Sequence, residues 1–159
     1  MLRSRVQSGF SLIEMVITVA IIGILASAAA PLTETVVRRS KEQELKSALM
    51  TLRNAIDAYK EASDIGRVER TVGESGYPRS LDILVNGVTD RKSSSGAKIY
   101  FLRRIPRDPL ADSALPVAQQ WGLRSYDSPP DAPRYGKDVF DVYSLADGTA
   151  LDGTSYREW

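Results

Sequence analysis

The stretch whose reading decides the fold is GFSLIEMVITVAIIGILASAAAPL, residues 9–32. From Met15 to Leu32 it carries no charged side chain. As a helix rising about 1.5 Å per residue, roughly 18 residues reach about 27 Å, just enough to span a bilayer core. Arg3 and Arg5 precede the run, which suits a cytoplasmic N-terminus, although Arg38, Arg39 and Lys41 on the far side dilute that asymmetry. Hydropathy alone leaves two ordinary readings open. One is a secretory signal peptide with a small-residue cleavage point at Ala26-Ser27-Ala28, the other a plain signal anchor.

Glu14 fits neither. A carboxylate inside a membrane span costs about 2.5–3.5 kcal/mol on insertion scales, so an intramembrane acid points to function and raises the question of its partner. No Lys, Arg or His follows within a few helical turns, so the balancing cation has to come from elsewhere.

The hexapeptide Gly9-Phe10-Ser11-Leu12-Ile13-Glu14, followed by an apolar run, resembles the processing site of type IV pilins and type II secretion pseudopilins. The resemblance implies cleavage by a prepilin peptidase between Gly9 and Phe10 and methylation of the new Phe10 amine. It also implies that the Phe10 amine of one subunit meets Glu14 of its neighbour in a filament. The chemistry is consistent with that order of events. Before cleavage the Phe10 nitrogen is a neutral amide; afterwards it is an amine with an ordinary pKa of about 8. Burying one member of such a pair without the other costs about 3–5 kcal/mol, so processing would license assembly. Pro31 stands where the family often bends its helix, and a proline there removes a helical hydrogen bond and should kink or locally melt the helix.

Composition narrows the remaining classes. A chain of 159 residues holds one modest domain plus an extended element. With 21 basic and 20 acidic residues, no nucleic-acid-binding face is implied. Cysteine and histidine are both absent, which removes disulfides, thiol nucleophiles, the usual zinc ligands and the commonest general base. Oxygen-ligated metals such as calcium stay open.

Beyond Pro31 the pattern turns amphipathic. Leu45, Leu49, Leu52, Ile56 and Tyr59 form one helical stripe flanked by Ala48, Ala55 and Ala62, which predicts core packing. Arg38, Arg39, Lys41, Glu42, Glu44, Lys46 and Arg53 are expected on the other faces. The helix is predicted to end near Ser63, where glycines and Pro78 interrupt the pattern. The expected organisation is a leader over 1–9 and a long helix over 10–63, spanning a membrane or a filament core at about 12–32 and amphipathic over 33–63. A periplasmic head over 64–159 follows. In the head, a short helix is predicted over 80–85 with Ser80 as its cap, and strands over 98–103, 120–126 and 138–144. The fold class is therefore α+β, a long N-terminal helix packed on a small antiparallel sheet. Arg103, Arg104 and Arg107 read as a solvated basic cluster, and Asp138 and Asp141 as surface partners of Arg134 and Lys137.

The head narrows the resemblance. Tyr100-Phe101-Leu102, Ile105-Pro106-Arg107-Asp108-Pro109, Trp121-Gly122-Leu123-Arg124-Ser125-Tyr126 and Asp141-Val142-Tyr143-Ser144 are similar to the major pseudopilin of type II secretion. So are Asp147-Gly148 and the terminal Trp159. The chain also lacks the cysteines with which type IVa pilins usually close their C-terminal loop. The resemblance implies a calcium in that loop, with Asp147 in the first position and Asp152 and the Leu145 carbonyl nearby. Thr154 and Ser155 stand where further acids belong, and Asp147-Gly148 and Asp152-Gly153 both suit turns, which is the favoured reading.

The function so implied is that of a non-enzymatic filament subunit in the bacterial inner membrane, single-pass, with a periplasmic head. Its implied partners are further copies of itself, prepilin peptidase, minor pseudopilins, the inner-membrane assembly platform with its ATPase, and a secretin. The alternatives are a subunit of a type IV surface pilus and, from another class, a membrane-anchored periplasmic enzyme or binding module. The head sequence offers no convergent polar set for the last of these.

Overall fold

The computed structural model describes residues 9–159, without the side chains of 27–32. The leader expected over 1–9 therefore lies, apart from Gly9, outside the described residues, as do Arg3 and Arg5. The chain divides into two compact units, Met1–Arg39 and Ser40–Trp159. One helix, α1 (Leu12–Asp64), supplies the first unit and then the central helix of the second. Helical structure runs without interruption through position 31. The side chain of Pro31, and with it the cause of the expected kink, falls among those not described.

The second unit is organised by the predicted stripe. Leu45, Leu49, Leu52 and Ile56 are at most 2% exposed, and Tyr59, Ala48, Ala55 and Ala62 are buried beside them. Each aliphatic side chain so covered contributes about 1.5–3 kcal/mol of apolar burial. The alanines bring the head close to the helix, where Leu81, Leu84, Leu102, Trp121, Val139, Val142 and Tyr156 complete the core. The helix ends at Asp64, one residue beyond the expected end, and the carbonyl of Ala62 accepts the turn amides of Arg67 and Val68.

Helix α2 (Leu81–Asn86) lies one residue later than predicted. Ser80 occupies its N-cap position with extended backbone, but its side chain makes no capping hydrogen bond. Strands β1 (Val88–Thr89) and β2 (Lys98–Ile99) pair antiparallel, as do β3 (Trp121–Arg124) and β4 (Asp141–Ser144). The expected small sheet is thus two separate two-stranded ladders.

All three predicted strands are shorter than expected, for identifiable reasons. After Ile99 the chain leaves the ladder because the amides of Phe101 and Leu102 both donate to the Leu84 carbonyl at the end of α2. Before Asp141 the Val139 amide donates to Pro78 instead of to a strand. After Arg124 the Ser125 amide donates to the Arg134 carbonyl, outside the ladder. Strand β1, where the sequence predicts no element, is only two residues long and carries no periodicity.

Two glycines sit where a side chain would be crowded. Gly87 adopts φ 71° at the end of α2, and a Cβ there would lie 2.8 Å from the Ile99 carbonyl oxygen. Gly122 faces Tyr143 across the β3–β4 ladder, and a Cβ would sit 2.3 Å from the tyrosine ring.

Candidate functional site

Gly9 and Phe10 precede α1, whose hydrogen bonding begins where Met15 N–H donates to the Ser11 carbonyl at 3.1 Å. Glu14 lies in the first turn, where the positive end of the helix dipole favours an anion. Its backbone carbonyl accepts the Thr18 hydroxyl at 2.9 Å, and its carboxylate has no ion pair among the described residues. Around it the surface is apolar on every side. Phe10, Leu12, Ile13, Met15, Val16, Ile17, Val19, Ile21, Ile22, Ile24 and Leu25 are between 52% and 83% exposed. A helix apolar all round is one that lipid or protein covers, since water would leave that area unburied. Among the described residues no helix is long and apolar enough to cross a membrane. The span expected from sequence runs on into 27–32, beyond those residues.

The second site assigned from sequence is the C-terminal loop, residues 145–159. It is shaped by two glycines, Gly148 at φ 115° and Gly153 at φ 87°, and by an antiparallel bridge between Thr149 and Ser155. The Ala150 amide donates to the Thr154 carbonyl at 2.7 Å, and the chain ends in a 3₁₀ turn, Tyr156–Glu158. Asp147 accepts Arg157 Nη2 at 2.8 Å. Asp152 Oδ1 accepts the Thr154 amide at 3.0 Å and the Thr154 hydroxyl at 2.6 Å, which is turn chemistry. The Thr154 hydroxyl in turn accepts Trp159 Nε1 at 2.7 Å.

Calcium takes six to eight oxygens with enough negative charge to hold it. Among the described residues no three acidic side chains cluster so as to hold a metal. Asp147 faces a guanidinium and Asp152 is engaged by its own turn, so the donor set does not fit the ion that the resemblance implies.

The residues that hold this loop in place are ones that sequence reasoning assigned to outer faces of α1. Glu42 is buried, and its Oε1 accepts the Leu151 amide at 2.9 Å and the Tyr156 hydroxyl at 2.8 Å. Arg53 Nε donates to Asp141 at 2.8 Å, and its Nη2 donates to the carbonyls of Val142 and Trp159. Lys46 Nζ lies 4.1 Å from the centre of the Trp159 ring, a cation–π contact. Spacings of four and seven place Glu42, Lys46 and Arg53 along one helical face, and that periodicity was the available signal.

Asp138 and Asp141 also differ from expectation. Asp138 is buried, accepting Ser125 Oγ at 2.8 Å, the Tyr126 amide at 2.9 Å and the Ser75 hydroxyl. Asp141 pairs with Arg53 and Arg124 instead of Arg134 or Lys137. Arg103, Arg104 and Arg107 are exposed, as expected of a solvated cluster.

Residues 4–30 match the family model described as the prokaryotic N-terminal methylation motif. With the long helix and the small antiparallel head, the motif defines a pilin-like protein. Over most of its length the chain resembles curated proteins named type II secretion system core protein G. The one from Vibrio cholerae is 30% identical over 153 residues, 93% of this chain and 86% of the relative. Those from Aeromonas hydrophila and Pseudomonas aeruginosa are 35% and 29% identical, covering 68% and 92% of this chain and 71% and 89% of the relatives. No solved structure matches significantly. The chain belongs to the type II secretion system core protein G family, the major pseudopilins.

Proposed function

We propose that the protein is a structural subunit of a type II secretion pseudopilus, processed after Gly9 and polymerised through the first part of α1. The observation that carries this reading is the all-round apolar surface of residues 10–25 with one acid, Glu14, in the opening turn. On a family member bearing the methylation motif, that surface suits lipid before assembly and neighbouring subunits afterwards. The released Phe10 amine supplies, from a neighbouring subunit, the cation that Glu14 does not find among the described residues. On this reading the precursor is a single-pass protein of the inner membrane, N-terminus cytoplasmic and head periplasmic. Prepilin peptidase, an assembly platform with its ATPase, minor pseudopilins and a secretin are its partners. Its role is mechanical, without catalysis.

The deciding experiment takes the mature protein from its native host and measures its N-terminal residue and mass, for wild type and Glu14→Ala. The expected wild-type chain begins at Phe10 with one added methyl. Glu14→Ala is expected to be cleaved yet to form no filaments. A wild-type chain beginning near Ala29, or normal filaments from Glu14→Ala, would overturn the reading.

A further inference from the structure

We propose that the C-terminal loop of this protein is closed by its own side chains, with Arg157 and a three-residue clasp on α1 standing in place of a divalent cation. Folding of the head is then independent of calcium.

The carboxylate that would lead a calcium site is Asp147, and it faces the Arg157 guanidinium at 2.8 Å. Both groups are well exposed, so the pair itself contributes little stability. Its effect is to make Asp147 a poorer lone ligand, and among the described residues no three acidic side chains gather to make a stronger one. A divalent ion at Asp147 would have to displace a cation and then sit beside it, against like-charge repulsion. The second acid, Asp152, is turned onto Thr154, whose hydroxyl also receives the Trp159 indole. Each acid has one oxygen already engaged, and Thr154 and Ser155 add no charge.

The closing force comes from the helix instead. Arg53 ties the last residue of the loop to the strand before it, donating to the Trp159 carbonyl and to the Val142 carbonyl within β4. Glu42 grips its middle through the Leu151 amide and its final turn through the Tyr156 hydroxyl. Lys46 covers the Trp159 ring, which packs edge-on against Tyr156 with centroids 5.4 Å apart. A metal ion fixes a loop by gathering several of its oxygens at one point; here a rigid helix gathers its amide, hydroxyl and carbonyl groups along one face. Hydrogen bonds to charged groups are the stronger kind, and Glu42 and Arg53 supply most of these contacts.

The test uses the full chain purified in detergent and stripped with EDTA. Thermal unfolding is followed by tryptophan fluorescence in EDTA and in millimolar calcium chloride, and calcium is titrated by calorimetry. A ligand bound only by the folded state raises Tm by mass action. The expected result is one Tm in both conditions and no saturable calcium binding. Glu42→Ala is expected to lower Tm by several degrees, equally with and without calcium. Glu42→Gln, which keeps one acceptor oxygen and so the better prospect of folding, should show a smaller calcium-independent fall. Three results would overturn the proposal. They are a Tm raised by calcium, saturable binding lost in Asp147→Asn, and Glu42 variants that melt like wild type.

Discussion

The Tyr156 hydroxyl donates to Glu42 Oε1 at 2.8 Å inside the head, joining residues 114 positions apart. Tyr156 is only 5% exposed and Glu42 only 7%, so water is not available to replace the bond. Removing the hydroxyl takes away one donor, while Glu42 keeps the Leu151 amide. Tyr156→Phe is therefore expected to destabilise the protein by about 1.5–3 kcal/mol, the worth of a hydrogen bond to a charged group. Urea denaturation checks this, with the midpoint lowered and the slope unchanged.

The β3–β4 ladder depends on the absence of a side chain at position 122. Tyr143 covers Gly122 so closely that a Cβ would overlap the ring at 2.3 Å, so the ring would have to swing off the strand. Gly122→Ala is expected to cost about 1–3 kcal/mol, as overpacking does. In the Tyr143→Ala background the same change should cost much less, because its obstacle is gone. Additive losses in the double-mutant cycle would contradict the close packing.

Asp138 gives the head an acid-sensitive point. Burial pushes its carboxyl upward, but the Ser75 hydroxyl, the Tyr126 amide and the Ser125 hydroxyl outweigh that and hold it below the ordinary aspartate value. A carboxylate depressed in the folded state stabilises fully above its unfolded pKa, about 3.9, and loses that contribution as pH falls through the folded value. Acidification below about pH 4 should therefore remove a part of wild-type stability that Asp138→Asn lacks from the start. At neutral pH Asp138→Asn is expected to be less stable by about 1–3 kcal/mol. Urea midpoints at neutral and acid pH, measured for both proteins, should converge in acid.

What could be read from the sequence was what repeats locally. The stripe from Leu45 to Tyr59 is visible because a helix returns the same face every three to four residues, and the structure buries all five members. The segment from Gly9 to Glu14 is visible because a lone acid in an apolar run is chemically costly wherever it lies. Glu42, Lys46 and Arg53 share a helical face too, yet their charge pointed to solvent. Their partners are an amide, an aromatic ring and carbonyls contributed by a loop about a hundred residues further along, and no local pattern announces them. Asp138 was misread for the same reason. Its neighbours in sequence, Arg134 and Lys137, offered an easy pairing, while the real donors, Ser75 and Ser125, come from other parts of the head. Strand lengths were overestimated because alternation continues past the point where a nearby carbonyl, such as that of Leu84, captures the backbone amides.

The clasp on α1 also sets an order in time. The apolar residues 10–25 emerge from the ribosome long before the head is complete. Glu42 and Arg53 follow soon after, but their partners at 151–159 arrive only after the rest of the head has been made. Contacts of such long sequence separation form late and slowly. Between the two events the inner face of the helix stands without its cover. On the function proposed above, delivery to the membrane can thus begin before the head has a finished structure, and the loop is among the last parts of the head to close.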